Sequence, residues 1–404
     1  MIPYPTGDPR TARRINQEAI LRLLRHRGPL SRAQIARELG LNPSTVGRLV
    51  DPLLAVGLLQ ETGARATGRQ GGRPARLVRF NAQAGCIAAL DLSGEIWQAA
   101  LTDLNGEIVE TFQAHPVPGD AQANLAALED LLHRMLDRPC RLGRPRPQGI
   151  GVGAPSIVLW ESGTVVWAAS LGWRDLPLKA WIESRWPVPV FVENDVNLLA
   201  LGESWRGAGR GSRYLAVLAV GTGVGAGLVL DGRVYRGASE AAGEVGYLPP
   251  TPEALGRTYQ GYGPLEEVAG LHGLVRRARE ALERGASSVL AQAAPLSSQA
   301  VFQATREGDP LAARLVAEMA DHLAMAVAAL AVVLNPERIL LGGQAVHAAD
   351  LLLPALRDRL QGLVPSMPEL DAAQLGDRAI LIGAAALVLR NTQIWVDGIP
   401  LVVP

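Results

Sequence analysis

Cysteine is almost missing from this chain, which has only Cys86 and Cys140. Two thiols cannot build a disulfide framework or a four-thiolate metal site, so both read as inert core residues and redox chemistry is set aside. Lysine is scarcer still, Lys179 being the single one among 39 basic residues, a bias without mechanistic content. The six histidines are scattered, with no two at the spacing of metal ligands. No apolar run approaches the roughly 18 residues of a membrane span, and the opening MIPYPTGDPRTARR lacks the apolar stretch of a signal peptide. These absences point to a cytoplasmic protein with no membrane partner. What is present is 48% apolar content over 404 residues, enough for sizeable cores and, at that length, for two or three domains.

The net charge is zero, but it is unevenly spread. Residues 1–80 hold fourteen Arg against five acids (Asp8, Glu18, Glu38, Asp51, Glu61), a balance of +9 that leaves −9 for the rest. Because phosphate neutralisation dominates affinity for nucleic acids, the basic head is the part expected to meet DNA.

Within that head, residues 31–54 read as two short helices around a tight turn. Ser31 caps the first with Gln34 as capping-box partner, and Ile35, Ala36 and Leu39 line one face. Gly40 suits the left-handed end of that helix. Asn42 caps the second, with Pro43 at its first position. Val46, Leu49 and Val50 turn inward, leaving Ser44, Thr45, Gly47 and Arg48 outside on a short, polar, positive face suited to the major groove. Pro52 is expected to kink or end this helix. An earlier helix over about 17–26 completes a bundle, and Leu58–Glu61 with Leu77–Phe80 read as the strands of a wing. Arg69 and Arg73 lie on the glycine-rich stretch between them, where they can enter a minor groove.

From Gly85 short strands alternate with helices, the texture of an α/β fold. Residues 86–92 and 96–104 read as a hairpin, 148–155 and 189–194 as further strands, and 214–232 as two strands joined by a glycine-rich turn. The longest helix is expected over about 310–334, and the strand at 338–343 ends in Gly342-Gly343.

The head resembles the winged helix-turn-helix of ROK-family repressors through Asn16, SRAQIA, GLNPSTV, GLLQE and GGRP. From Gly85 to about Arg390 the body is similar to the ROK sugar-kinase fold, a two-lobed, actin-like ATPase architecture whose ligand lies between the lobes. The expected domains are therefore a DNA-binding head over 1–82, a first lobe over 83–195 to which a helix near 383–393 returns, and a second lobe over 196–382.

The resemblance also implies site residues. The first phosphate loop of the family, Asp-x-Gly-Gly-Thr, aligns with Asp91, Leu92, Ser93, Gly94 and Glu95, so the first Gly and the Thr are lost and an acid that repels ATP stands in place of the Thr. The second loop (Gly221, Thr222, Gly223, Gly225) and the pair Gly342-Gly343 are retained, although glycine-rich turns also serve chain geometry alone. All of these read as vestigial nucleotide loops. On the sugar side, Asn194 and Asp195 match the strand-end motif whose Asp is the catalytic base in family kinases. Glu244 and Tyr247 fall in the motif Gly-Glu-x-Gly-His, Glu266 stands where another sugar-binding acid is expected, and Ser170 replaces a family Asn. Carboxylates and amides in such places suit hydroxyl-rich ligands. The ligands of the family's zinc site align with Tyr247, Arg257, Tyr259 and Pro264, so no metal is expected and residues 247–264 should be held by packing, through Tyr247, Tyr259 and Tyr262.

The expectation is a homodimeric or homotetrameric repressor that binds operator DNA and is released by a sugar-type effector, without cofactor or catalysis. The alternatives are an active sugar kinase carrying a DNA-binding head, with Asp195 as base, and a ligand-free scaffold.

Overall fold

The computed structural model describes residues 9–66, 75–138, 146–259, 261–396 and 399–402. The head contains α1 (Pro9–Arg27), β1 (Leu30–Ser31), α2 (Arg32–Leu39), α3 (Pro43–Ala55), β2 (Leu59–Ala66) and β3 (Ala75–Phe80). There follow β4 (Cys86–Asp91), β5 (Trp97–Asp103), β6 (Ile108–Ala114), α4 (Ala121–Leu136), β7 (Pro147–Ala154), β8 (Val158–Leu159), β9 (Thr164–Ala168), β10 (Trp173–Leu176), α5 (Leu178–Glu183) and β11 (Val190–Asn194). The chain continues through α6 (Asp195–Arg206), β12 (Tyr214–Val220), β13 (Val224–Leu230), β14 (Arg233–Val234), α7 (Pro264–Ala269), α8 (Leu271–Glu283), α9 (Ser298–Arg306) and α10 (Pro310–Leu334). It closes with β15 (Arg338–Gly342), α11 (Ala349–Leu360), β16 (Glu369–Ala372), α12 (Ala379–Asn391), β17 (Gln393–Val396) and β18 (Ile399–Val402).

Local chemistry sets the head. Ser31 accepts from the Gln34 backbone while the Gln34 side chain returns a bond to Ser31, a complete capping box. Gly40 ends α2 at φ 65°, a left-handed backbone that a side chain resists. Ile35, Val46, Leu49, Val50 and Leu53 bury the inner faces of α2 and α3 against Ile20 and Leu24 of α1. Pro52 does not end α3, which runs on to Ala55. The lost bond to Arg48 is outweighed by burial of the adjacent Leu53, and the helix is capped at Val56, whose N–H still donates to the Pro52 carbonyl. The wing is a three-stranded sheet, β1-β3-β2.

The elements gather into two compact units. One holds the described residues up to Val152, Ser162–Val192, and those from Ala384 onward. Head and first lobe therefore share a unit, and the chain re-enters it within α12. Arg25 of α1 donates to the Leu104 carbonyl and, at 3.2 Å, to the Asn105 side chain in the β5–β6 turn, with its guanidinium over Phe80. In the lobe the sheet order is β11-β7-β4-β5-β6. The strand β4 is buried along its whole length, as a central strand must be. Gly151 lets α12 approach so closely that a Cβ there would lie 2.4 Å from the Ala384 carbonyl oxygen.

The second unit holds Gly153–Glu161 and Glu193–Gly383. Its sheet runs β14-β13-β12-β15-β16, with β12 antiparallel to β13 and parallel to β15. Leu315, Met319, Leu323, Val327 and Leu330 of α10 repeat at helical spacing and fill the core beneath this sheet with Leu218, Leu274 and Leu356. Among the described residues α10 is the one helix long and apolar enough to cross a membrane, and half of its most apolar stretch is buried inside this unit.

Candidate functional site: a DNA-reading face and a polyol-binding pair

The recognition face lies on the first turns of α3. Asn42 Oδ1 accepts the Ser44 backbone N–H at 3.0 Å and its hydroxyl at 2.9 Å, leaving the Ser44 oxygen able to accept. Ser44 and Arg48 are exposed and Thr45 half-buried, which is the outward set expected from the sequence. Behind them Gln17, fully buried, donates to the Leu49 carbonyl at 3.3 Å. Arg32 ties the far end of α3 to the wing, 2.9 Å from Asp51 and 3.7 Å from Glu61. Arg69 and Arg73 lie outside the described residues.

At the first glycine loop, Asp91 is turned back on its own chain. Its Oδ1 accepts the Ser93 backbone N–H at 2.9 Å and the Ser93 hydroxyl at 2.6 Å, a local turn closed by the side chain. Gly94 and Glu95 are exposed.

The second loop is tied to its neighbours by hydrogen bonds, and only some of its glycines are closely packed; at Gly221 a Cβ would meet nothing within 4 Å. The Gly221 carbonyl accepts from Leu271 N–H at 2.9 Å, and His272 Nδ1 lies 2.8 Å from the Thr222 carbonyl, so that nitrogen carries the proton. A Cβ on Gly223 would meet Glu266 Oε1 at 2.6 Å. Gly225 sits against Val196, Gly342 against Val217 and Leu199, and Gly343 adopts φ 69° against the Val220 backbone.

Two effector candidates, Asn194 and Asp195, stand at the start of α6. Asn194 ends β11 and caps α6, its Oδ1 accepting from Asn197 N–H at 3.0 Å. Its Nδ2 donates to the Ser156 carbonyl at 3.0 Å and to Asp195 Oδ1 at 3.1 Å, so the amide sets the direction of the carboxylate beside it. Glu244 is open to solvent on one flank, yet the protein packed around its carboxyl raises its pKa, with the neighbouring Glu266 adding to the rise. Glu266 is a clamp: Oε1 accepts Val224 N–H at 2.9 Å and Oε2 accepts Gly263 N–H at 2.7 Å, fixing the second loop to the start of α7. Ser170 belongs to the other unit, where its carbonyl accepts from Gly119 N–H at 2.8 Å, and buried Asn124 donates to the adjacent Leu171 carbonyl.

Around Glu193, which precedes the pair, stand three residues that were not foreseen: Arg236, Trp160 and Glu240. Buried Glu193 bonds Arg236 at 2.6 Å, Arg236 stacks over Trp160 at 4.1 Å, and Glu240 lies 3.8 Å from Arg236. Burial pushes the Glu240 carboxyl up in pKa, Glu193 adds to this and Arg236 opposes it. The positive φ of Glu240, 61°, was the kind of feature that only coordinates reveal.

The residues at the family's zinc positions do not fit the metal. Tyr247 is 59% exposed, Arg257 points to solvent, and Pro264 opens α7. No group of three His, Cys, Asp or Glu that could hold a metal occurs among the described residues. The expected tyrosine packing is corrected as well. Tyr247 is too exposed to hold the segment, Tyr259 is half-buried, and Tyr262 makes its contact by stacking on His272 at 4.0 Å. Burial of Val245 and Ala254 and the Glu266 clamp hold the segment instead.

A sequence profile of the ROK family matches residues 87–391, and one of the MarR family matches residues 15–62. The chain is 28% identical over 393 residues to a protein named xylose repressor from Caldicellulosiruptor bescii, covering 95% of this chain and 98% of that one. It is 34% identical over 326 residues to a glucokinase from Halalkalibacterium halodurans, covering 76% of this chain and 96% of that one. A solved structure described as a ROK family transcriptional regulator, a homologue of the E. coli MLC protein, superimposes with a TM-score of 0.81 at 26% identity, covering 93% of this chain and 96% of that one.

Proposed function

Because the chain belongs to the ROK family and carries a winged helix-turn-helix before its kinase-like body, we propose that it is a repressor whose DNA binding is released by a sugar-type effector and which transfers no phosphoryl group. The observation that carries this reading is the contrast between two aspartates. Asp195 is half-buried at a helix start and bonded there by the Asn194 amide, whereas Asp91 is buried at a strand end and bonded by the Ser93 N–H and hydroxyl of its own loop. A carboxylate oriented by an amide suits sugar hydroxyls. An aspartate bonded to its own loop, on a segment that also carries Glu95, is poorly suited to receive a nucleotide and its metal.

Asn194, Asp195, Glu244 and Tyr247, all in the second unit, are the proposed effector contacts; Ser170, expected with them from the sequence, belongs to the first unit. Glu266 acts behind them by holding the loop. Ser44, Thr45 and Arg48 read operator bases, joined by Arg69 and Arg73 from the wing. Two heads acting together in a homodimer or homotetramer lengthen the site read on DNA, and such work belongs in the cytoplasm. The resemblance to a named glucokinase favours the rival reading of an active kinase with Asp195 as base.

A panel of sugars, read by thermal shift and by a linked ATP-consumption assay, separates the readings. A ligand at 100 times its Kd adds about 2.7 kcal/mol to stability. A thermal shift without ATP consumption supports the repressor; sugar-dependent ATP consumption supports the kinase.

A further inference from the structure

Glu193 is 2% exposed, and a carboxylate at that depth requires hydrogen bonds and a counter-charge. Its Oε1 accepts the Asn194 backbone N–H at 2.9 Å and the Asn197 side-chain N–H at 3.0 Å. Its Oε2 accepts Arg236 Nε at 2.8 Å and Arg236 Nη2 at 2.6 Å. The guanidinium is fixed in turn, with Trp160 against one face at 4.1 Å and Glu240 at its edge, 3.8 Å away. An arginine stacked on an indole and bonded along its edge has few other orientations open to it.

The contacts form one chain. Trp160 and Glu240 hold Arg236, Arg236 holds Glu193, Glu193 holds Asn194 and Asn197, and Asn194 holds Asp195. The segment that supplies Arg236 also leads into Glu244, and the Arg236 carbonyl accepts from Ala242 N–H at 2.9 Å. One guanidinium thus fixes the strand end that carries Asn194 relative to the loop that carries Glu244.

We propose that Arg236 is a positioning residue for the effector pair, acting through Glu193 to fix the first turn of α6 and the direction of the Asp195 carboxylate. The proposal rests on the reading of Asn194 and Asp195 as effector contacts. Losing the guanidinium leaves the Glu193 charge buried without its partner, and moving that carboxylate to solvent breaks both bonds to α6 at once.

Three variants of the full-length protein test it. Arg236→Met keeps the stem over Trp160 and removes the charge. Arg236→Lys keeps the charge as a point donor. Arg236→Met combined with Glu193→Gln removes both charges, while the Gln oxygen still accepts from Asn194 and Asn197. Affinity for D-xylose and D-glucose is measured by titration calorimetry, and backbone amide exchange over residues 194–201 is measured without sugar. Arg236→Met is expected to weaken the sugar that binds by about tenfold or more and to speed exchange, with Arg236→Lys in between. The double variant is expected to return within about threefold of the unaltered protein in both readouts, because the uncompensated charge is gone. Asp195→Asn, run alongside, weakens sugar binding without speeding exchange. A double variant as impaired as Arg236→Met, or unchanged exchange in Arg236→Met, overturns the proposal. If neither sugar binds the unaltered protein, the effector reading fails on these probes, and amide exchange still decides the part played by Arg236.

Discussion

Gln17 in the first helix donates its side-chain N–H to the Leu49 carbonyl in the recognition helix at 3.3 Å. That bond crosses the buried heart of the head, and it sets how α3 is presented. Arg48, exposed one residue earlier, then projects outward from a helix whose roll is fixed. Arg48→Ala is expected to cost about 1–3 kcal/mol of specific DNA binding, with effector affinity unchanged. A mobility-shift titration with DNA selected from a random pool measures it, and unchanged affinity would show that Arg48 reads no base.

The Asn194–Asp195 contact yields the second prediction. Asp195→Asn keeps the shape but loses charge-assisted bonding, so effector affinity should fall by about 1 kcal/mol or more. Calorimetry with the sugar found in the thermal-shift panel checks this. Unaltered affinity would place the effector elsewhere.

The Ser93–Asp91 turn yields the third. Ser93→Gly combined with Glu95→Thr removes the hydroxyl bonded to Asp91 and the acid carried by the same loop, so magnesium-ATP affinity should rise. Calorimetry on both proteins decides the matter. Equal ATP affinity would mean that this loop is not what limits nucleotide binding.

His322 supplies a pH test. Burial holds its pKa below the usual 6.5, and the neighbouring Arg277 lowers it further. The folded state therefore resists a proton that the unfolded chain accepts. Its stabilising contribution is present above pH 6.5 and is lost as pH falls below that value. His322→Gln should flatten the decline in Tm between about pH 6.5 and 5. Parallel declines in the two proteins would rule out His322 as the cause.

Much of the head was legible because its signals are local. Ser31 with Gln34, Gly40, and Asn42 with Pro43 all act within four residues, and each stands where the sequence places it. Pro52 misled because local propensity was weighed without the burial of Leu53. The two-residue strand β1 carries too short a pattern to notice. In the body, Asn194 and Asp195 could be picked from a motif, but Arg236 and Glu193 are 43 residues apart, and nothing in either local sequence announces the pairing. Glu266 was read as a ligand contact on motif position alone; its bonds to backbone N–H groups of the second loop and of the start of α7 were beyond the reach of that motif. Tyrosines were assigned to packing by residue type, and solvent exposure of Tyr247 shows how little type fixes environment.

The central claim is that sugar binding in the body controls DNA binding by the head. Its most direct test is the affinity of the full-length protein for selected operator DNA, measured by fluorescence anisotropy while D-xylose, D-glucose or magnesium-ATP is added. One of the sugars should weaken DNA binding by about tenfold or more at saturation, a coupling of the usual size between linked sites, and ATP should leave it unchanged. DNA affinity indifferent to both sugars, in a protein that phosphorylates either of them, would contradict the account.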